Sequence, residues 1–424
     1  MKNWEKIKLG DLCEVITKGT TPTSIGYNFT DSGIKFIKVE SLTESGEIIP
    51  NKVAYIDEAC HQALKRSQLK KNDILFSIAG ALGRIGIVKE DILPANTNQA
   101  LAIIRLKKDS NALVEFIAKY FNSNIVTDEI EKLRIGAAQQ NLSLTQLNNL
   151  FVPLPPLPEQ QRIVSILDEA LAAIAKAKAN AEQNLKNAKE LFESYLQGVF
   201  ENGKWEKKKL GEFCNIIGGG TPSKANAKFY DGNIYWATVR DMKGEVITDT
   251  EHKITEEAVK NSSTNIIPKG NVVIATRVGL GKVCLIANDT AINQDLRGVV
   301  PINSKKLSVD FLYHWFKSIA NKIVEEGTGA TVQGVKLPFI KSLSIPLPQL
   351  KEQQTIVRQL DALRAETQKL EAVYQKKIDD LEELKKSILQ KAFAGELRSP
   401  EGAEYKSEVA TPLADKKPNT ITSP

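Results

Sequence analysis

The segment VPLPPLPEQQRIV, Val152 to Val164, returns almost unchanged as IPLPQLKEQQTIV, Ile345 to Val357, at an offset of 193 residues. Prolines at Pro153, Pro155, Pro156 and Pro158, and at Pro346 and Pro348, fix φ and bias the residues before them away from helix, so each phrase begins extended. Glu159 and Glu352 then fall in a first helical turn, where negative charge suits the helix dipole. Each phrase opens a long run without turn residues, 158–200 and 351–396. A duplicated entrance to a duplicated helix predicts two copies of one unit.

The repeat extends outward from these phrases. Trp4-Glu5-Lys6 and Leu9-Gly10 recur as Trp205-Glu206-Lys207 and Leu210-Gly211; Thr21-Pro22, Phe29, Asp31, Ile34 and Val39 recur as Thr221-Pro222, Phe229, Asp231, Ile234 and Val239. Asn98-Gln99 answers Asn293-Gln294, and Gly136, Gln140 and Leu144 answer Gly329, Gln333 and Leu337. The organisation expected is a block at 1–157, a helix at 158–200, a second block at 201–350, a second helix at 351–396 and a polar, Pro-bearing tail at 397–424 that reads as disordered.

In the first helix Ile163, Leu167, Ala170, Ile174, Ala177, Ala181, Asn184, Ala188, Leu191 and Tyr195 step by alternating four and three residues, the seam of a coiled coil. Ile356, Leu360, Leu363, Thr367, Leu370, Tyr374, Lys377, Leu381, Leu384 and Ile388 do the same in the second. At 1.5 Å per residue each helix would be on the order of 60 Å long. Gly198 and Gly395 are placed to close the two helices. Leu185, Phe192, Leu196 and Phe200, with Val373, Ile378, Leu389 and Phe393, lie beside the seam and widen the apolar face, as expected where a partner docks.

In the blocks, short apolar or alternating runs predict strands at Ile34 to Val39, Asp73 to Ile78, Gly86 to Lys89 and Gln99 to Leu106, matched by Ile234 to Val239, Asn271 to Thr276, Lys282 to Ile286 and Asp295 to Val300. Helices are expected at Asp57 to Leu64 and Leu113 to Asn122, and at Glu256 to Asn261 and Val309 to Ile319. The fold class is α+β with an internal twofold repeat. Two blocks of mixed α/β structure, each a curved, strand-rich sheet with peripheral helices, are separated by two long antiparallel coiled-coil helices.

Composition narrows the function. Hydrophobic residues make up 42% and charged residues 25%, no run reaches the roughly 18 apolar residues of a membrane span, and the N-terminus has no apolar signal core, which points to a cytoplasmic protein without a membrane partner. The four cysteines lack C-x-x-C spacing, and Cys13 and Cys214 occupy matching places, so they read as small buried hydrophobes. His61, His252 and His314 have no zinc-motif spacing, and the loop Gly218-Gly219-Gly220-Thr221-Pro222 lacks the Walker pattern. No catalytic residue, metal site or resident cofactor is expected. The blocks carry net charges of +2 and +5 and the helices −1 and 0, which places positive charge on the blocks.

The doubled phrase, the helix endings LFESYLQGVF and LKKSILQKAFAGEL, and the openings WEKxKLG and GGGTPS resemble the specificity subunit of type I DNA restriction-modification systems over residues 1 to about 397. The resemblance implies two target recognition domains, each reading half of a bipartite site in double-stranded DNA, with the helices setting the gap between the halves. It implies docking of two modification subunits that carry S-adenosylmethionine and the adenine methyltransferase chemistry. Two restriction subunits, motor-nucleases using ATP and Mg²⁺, would complete the complex, and this chain would be noncatalytic. Three alternatives stay open: a specificity subunit serving a stand-alone methyltransferase, a coiled-coil scaffold that does not bind DNA, and a nuclease with an unrecognised site.

Candidate DNA contacts are basic and amide residues in loops that match between the repeats, since Arg and Lys suit guanine and phosphate while Asn and Gln suit adenine. They are Lys18, Thr20 and Thr21 with Thr221, Ser223 and Lys224; Arg84 with Arg277 and Lys282; and Arg134, Gln139 and Gln140 with Gln333. Lys38 and Arg240 lie where the repeats differ and are the better base-reading candidates.

Overall fold

The computed structural model of the chain describes residues 4–43, 46–135, 141–328 and 334–397. The chain divides into two units, Met1–Lys178 with Asp379–Pro424, and Ala179–Ile378. Each unit therefore holds one block and a stretch of both long helices, the central helix Leu157–Asn202 and the distal helix Leu350–Phe393.

In the first unit, Cys13–Lys18, Leu101–Leu106, Ile74–Ser77 and Ile85–Ile87 form an antiparallel sheet in that order. A second sheet sets Ile34–Ile37 between an antiparallel Ala54–Ile56 and a parallel Ala95–Thr97. The second unit repeats this plan with the orders Cys214–Gly218, Leu296–Pro301, Val272–Ala275, Val283–Ile286, Val246–Ile247 and His252–Ile254, Ile234–Ala237, Thr290–Ile292, Asn265–Ile267. The expected strands and helices are all present, with the helices at Glu58–Ala63, Val114–Phe121, Glu256–Lys260 and Val309–Ser318. Besides a two-stranded ribbon, each block nevertheless has two larger sheets among the described residues where one was expected. The strands that divide them, Ala95–Thr97 and Thr290–Ile292, are only three residues long and too short to show a period.

The opening of each block and the proline phrase that ends it are partners. Glu5–Lys8 pairs antiparallel with Phe151–Leu154, and Lys207–Lys209 with Ser344–Pro346. Immediately after the ribbon, the first glutamine of each Glu-Gln-Gln turns inward. Gln160, fully buried, donates through Nε2 to the carbonyls of Pro155 and Asn111, both at 2.8 Å, and accepts the Leu113 N–H at 2.9 Å. Gln353 makes the same three bonds, to Pro348 O at 2.9 Å, Lys306 O at 2.8 Å and from Ser308 N–H at 2.9 Å. One side chain thus fixes the helix start, the extended phrase and the N-terminus of a block helix together. A further pair joins the same elements: Lys119 to Asp168 in one unit and His314 Nε2 to Asp361 at 2.9 Å in the other.

The two helices run antiparallel in the first unit, where Arg162 donates to Leu397 O at 3.2 Å while Lys178 pairs with Glu382. Besides Gln160, the buried positions of the central helix are Ile163, Leu167, Ile174, Ala181, Ala188, Phe192, Leu196 and Phe200. Every seventh residue from Leu167 to Ala188 is buried as the seam requires, Asn184 of the seam is exposed, and burial then advances in steps of four. Leu191 and Tyr195, expected in the seam, are 51% and 42% exposed, as are Leu370 at 42% and Leu384 at 46% in the distal helix. The burial keeps the seven-residue repeat from Leu167 to Ala188 and moves by one residue only where the helix meets the second unit's core. Gly198 does not close the central helix, which continues to Asn202; Gly395, at φ 74°, does follow the end of the distal one.

The helix ends are buried in the blocks. Phe200 packs on Phe311 with ring centroids 5.2 Å apart, and Phe393 packs on Phe116 at 5.3 Å. Phe192, Leu196 and Phe200 belong to the core of the second unit, and Leu389 and Phe393 to that of the first. Their expected role as an open docking face is corrected accordingly: large apolar side chains within reach of a block core are buried there. Leu185 and Ile378 are half-buried, and Val373 alone of the eight stands well exposed, at 61%.

Replacing Gln353 with leucine strands two buried carbonyls and an N–H, and should cost on the order of 3 kcal/mol in urea unfolding, while Gln354→Leu on the exposed neighbour should cost far less. The first block also buries Asp73 against Arg105, with two bonds of 2.7 Å, where the matching second-block residues are Asn271 and Val300. Asp73→Ala should cost about 3–5 kcal/mol, because it leaves a half-buried guanidinium unpaired, and the double change Asp73→Asn/Arg105→Val should recover most of that loss.

Candidate nucleic-acid interface

Both blocks fasten the loop that follows their first sheet strand in one way. Thr21 Oγ1 donates to Gln99 Oε1, and Thr221 Oγ1 to Gln294 Oε1. The backbone closes behind them, Thr20 N–H donating to Thr97 O at 3.1 Å and Gly220 N–H to Ile292 O at 3.0 Å. A side chain at Gly19 would meet Thr97 O at 2.0 Å, and one at Gly219 would meet Ile292 O at 2.1 Å, so these positions require glycine for the close approach. The loop bearing Lys18, Thr20 and Thr21, and its counterpart bearing Thr221, Ser223 and Lys224, are therefore held against the second sheet of each block.

In the second block this junction opens into a cleft of about 740 Å³ whose lining includes Thr221, Lys224, Arg240, Val278, Asn293 and Gln294. Three of the sequence-derived residues, Thr221, Lys224 and Arg240, are thus brought together. Ser223, exposed, lies beside them in sequence but does not line the cleft. Arg277 faces Asp295 at 3.5 Å, and Lys282 donates to Met242 O at 3.5 Å, both from the hairpin between Val272–Ala275 and Val283–Ile286. In the first block Arg84 is half-buried at the end of the matching hairpin. Lys38 lies 4.3 Å over the Phe29 ring and 4.0 Å from Glu40. Gln139, Gln140 and Gln333 lie outside the described residues, as does the side chain of Arg134.

The structure adds residues that the sequence did not single out. Arg66 donates to Thr20 Oγ1 at 3.1 Å, bringing a guanidinium to the first loop. Arg297, half-buried, donates to Gln294 O at 3.3 Å and Leu296 O at 2.9 Å; burial, together with nearby Arg277, lowers its affinity for its proton below that of a free arginine. An arginine inside the apolar run Leu296–Pro301 is the signal that could have marked it. Trp236, buried, donates from Nε1 to Gly220 O at 3.1 Å and so braces the cleft wall, while Val278 is 53% exposed at its rim.

His61 bonds Asn96 and His314 bonds Asp361, whereas His252 is half-exposed, 4.0 Å from Glu251, and lines the second-block cleft. The four cysteines are buried and free, and burial pushes the thiols of Cys13 and Cys214 up to about 12, which keeps them protonated at neutral pH. Among the described residues no cluster of three His, Cys, Asp or Glu could hold a metal ion, and no helix is long and apolar enough to cross a membrane.

Residues 1–186 and 202–382 match the family described as type I restriction modification DNA specificity domain. The specificity subunit of the Escherichia coli type I restriction enzyme EcoR124I/EcoR124II is 31% identical over 276 residues, which are 62% of this chain and 66% of that protein. A putative type I restriction enzyme MjaX specificity subunit of Methanocaldococcus jannaschii is 25% identical over 422 residues, 94% of each chain. Among solved structures, a chain from a study of complex assembly and conformational transition in the type I R-M system superposes with a TM-score of 0.77 at 21% identity, covering 94% of this chain and 99% of the other. The HsdS subunit of Thermoanaerobacter tengcongensis gives 0.59 at 20% identity over 93% and 98%.

Proposed function

Because this chain belongs to the family of type I restriction-modification DNA specificity proteins, we propose that its two blocks are target recognition domains, each reading one half of a bipartite site in double-stranded DNA. The observation that carries this reading is the loop framework built twice, Thr21 on Gln99 and Thr221 on Gln294, with cationic and amide side chains around each copy. Lysine and arginine in such loops hold phosphates, and the exposed side chains beside them reach base edges. The long helices set the gap between the half-sites. The chain itself supplies the address. Two modification subunits carrying S-adenosylmethionine methylate adenine, and two restriction subunits using ATP and Mg²⁺ cleave.

The modification subunits dock on the apolar side chains that the helices leave exposed, Leu191, Tyr195, Leu370 and Val373 in the second unit and Leu384 in the first. Leu191 and Leu384 are repeat equivalents at the offset of 193, which suits one docking site per unit. Aspartate at both positions should abolish adenine methylation in host DNA without lowering the melting temperature of the purified chain. Full methylation by that variant would place docking elsewhere.

The gap is tested by length. Seven residues inserted after Ala175 and seven after Lys385, positions flanking the Lys178–Glu382 pair, extend both helices together by roughly 10 Å, or about three base pairs. Methylated adenines mapped by single-molecule sequencing should show both half-sites unchanged and the gap widened. Altered half-sites would contradict the spacing role.

A further inference from the structure

Each block follows its matching strand, Ile34–Ile37 or Ile234–Ala237, with one 3₁₀ turn, Val39–Ser41 or Val239–Asp241. Both turns are pinned at their ends. The Lys38 N–H donates to Ser41 Oγ at 3.2 Å, and that hydroxyl donates to Lys52 O at 2.8 Å. The Thr238 N–H donates to Asp241 Oδ2 at 2.7 Å, and Asp241 Oδ1 accepts the Glu251 N–H at 2.8 Å. The residue in the middle of each turn stands exposed on fixed backbone, Glu40 at 65% with Lys38 4.0 Å away and Arg240 at 78%. Glu251, 3.4 Å from Arg240 Nη1, narrows the directions that the guanidinium can take.

Around this position the blocks agree in framework and differ at the rim. The Thr–Gln bond and the close-approach glycine are the same in both. Counting from the matched strands, Ala79, Gly80 and Ala100 stand where the second block has Arg277, Val278 and Asp295, so the Arg277–Asp295 pair has no counterpart in the first block. At 40 and 240 the charge itself is reversed.

The reversal discriminates between roles. Phosphates are negative in both half-sites, so a side chain kept to hold phosphate keeps its sign. A carboxylate is repelled there and gains on DNA at a base edge, where it accepts from the cytosine N4 amino group, whereas arginine forks onto guanine O6 and N7. We infer that position 40 and its repeat 240 determine specificity: Arg240 reads a G·C pair from its guanine edge in one half-site, and Glu40 reads a G·C pair from its cytosine edge in the other. This rests on the DNA-reading role proposed above and adds to it a named residue and base pair for each half.

The test is the adenine methylation motif of host DNA, mapped by single-molecule sequencing for the unaltered chain and for Arg240→Gln, Arg240→Lys and Glu40→Gln. Arg240→Gln should lose discrimination at one G·C position of one half-site by roughly 10- to 100-fold, while Arg240→Lys, which keeps a donor for guanine O6 and N7, should keep the preference in weakened form. Glu40→Gln should lose discrimination in the other half, with gap and remaining positions unchanged. Motifs from Arg240→Gln and Glu40→Gln identical to that of the unaltered chain, a uniform fall in methylation without a change of motif, or effects in the same half from both positions would each overturn the inference. If the unaltered chain gave no split motif at all, the DNA-reading proposal itself would fail, which separates the two.

Discussion

The fold hangs on a buried side-chain amide used twice. Gln160 and Gln353 each tie three backbone groups from the proline phrase and from the loop before a block helix, at the point where a long helix begins. A buried amide with every bond satisfied is directional in a way that apolar contact is not, so the angle at which the helix leaves its block is fixed within a single turn. The ribbon from Glu5–Lys8 to Phe151–Leu154 holds the phrase extended just before that point, and the Lys119–Asp168 pair holds the helix two turns after it. The far end is secured by Phe393 against Phe116 in one unit and by Phe200 against Phe311 in the other.

The two units solve this problem with the same backbone and different chemistry. Where the first buries Asp73 with Arg105, the second sets Asn271 and Val300. Lys119 facing Asp168 becomes His314 facing Asp361. The first of these exchanges a buried ion pair for neutral and apolar side chains, which is often close to neutral in stability when both partners change together; the second keeps the aspartate and changes only its partner. The duplicate blocks could therefore diverge at their rims while Gln160, Gln353 and the Thr–Gln bonds stayed fixed.

Much of this architecture was legible in the sequence because the repeat printed it twice. A six-residue run such as Leu101–Leu106 or the ten residues of Val309–Ser318 carry their own period, and proline marked where each long helix begins. The ribbon was less legible, since Lys207–Lys209 is three lysines with no apolar alternation and forms a strand only because Ser344–Pro346 lies beside it. The division of each block into two sheets was hidden for a similar reason. Side-chain fate was the least legible: Phe192, Leu196 and Phe200 look in sequence like a surface stripe, and only the block core they reach, with Phe311 against Phe200, makes them part of a core.

The same burial bears on the candidate site. Because the helix ends are consumed by block cores, the apolar side chains left exposed on the described helices include the expected seam residues Leu191, Tyr195, Leu370 and Leu384, with Val373 beside the seam. The same reasoning applies at the clefts. Thr221, Gln294 and Trp236 are spent on holding the loop, so their identity reports on structure, whereas Arg240 and Val278 hold nothing up and are free to differ from Glu40 and Gly80. In a chain made of two copies, side chains that are exposed, backed by fixed backbone and unlike their repeat equivalents are where two different half-sites can be told apart.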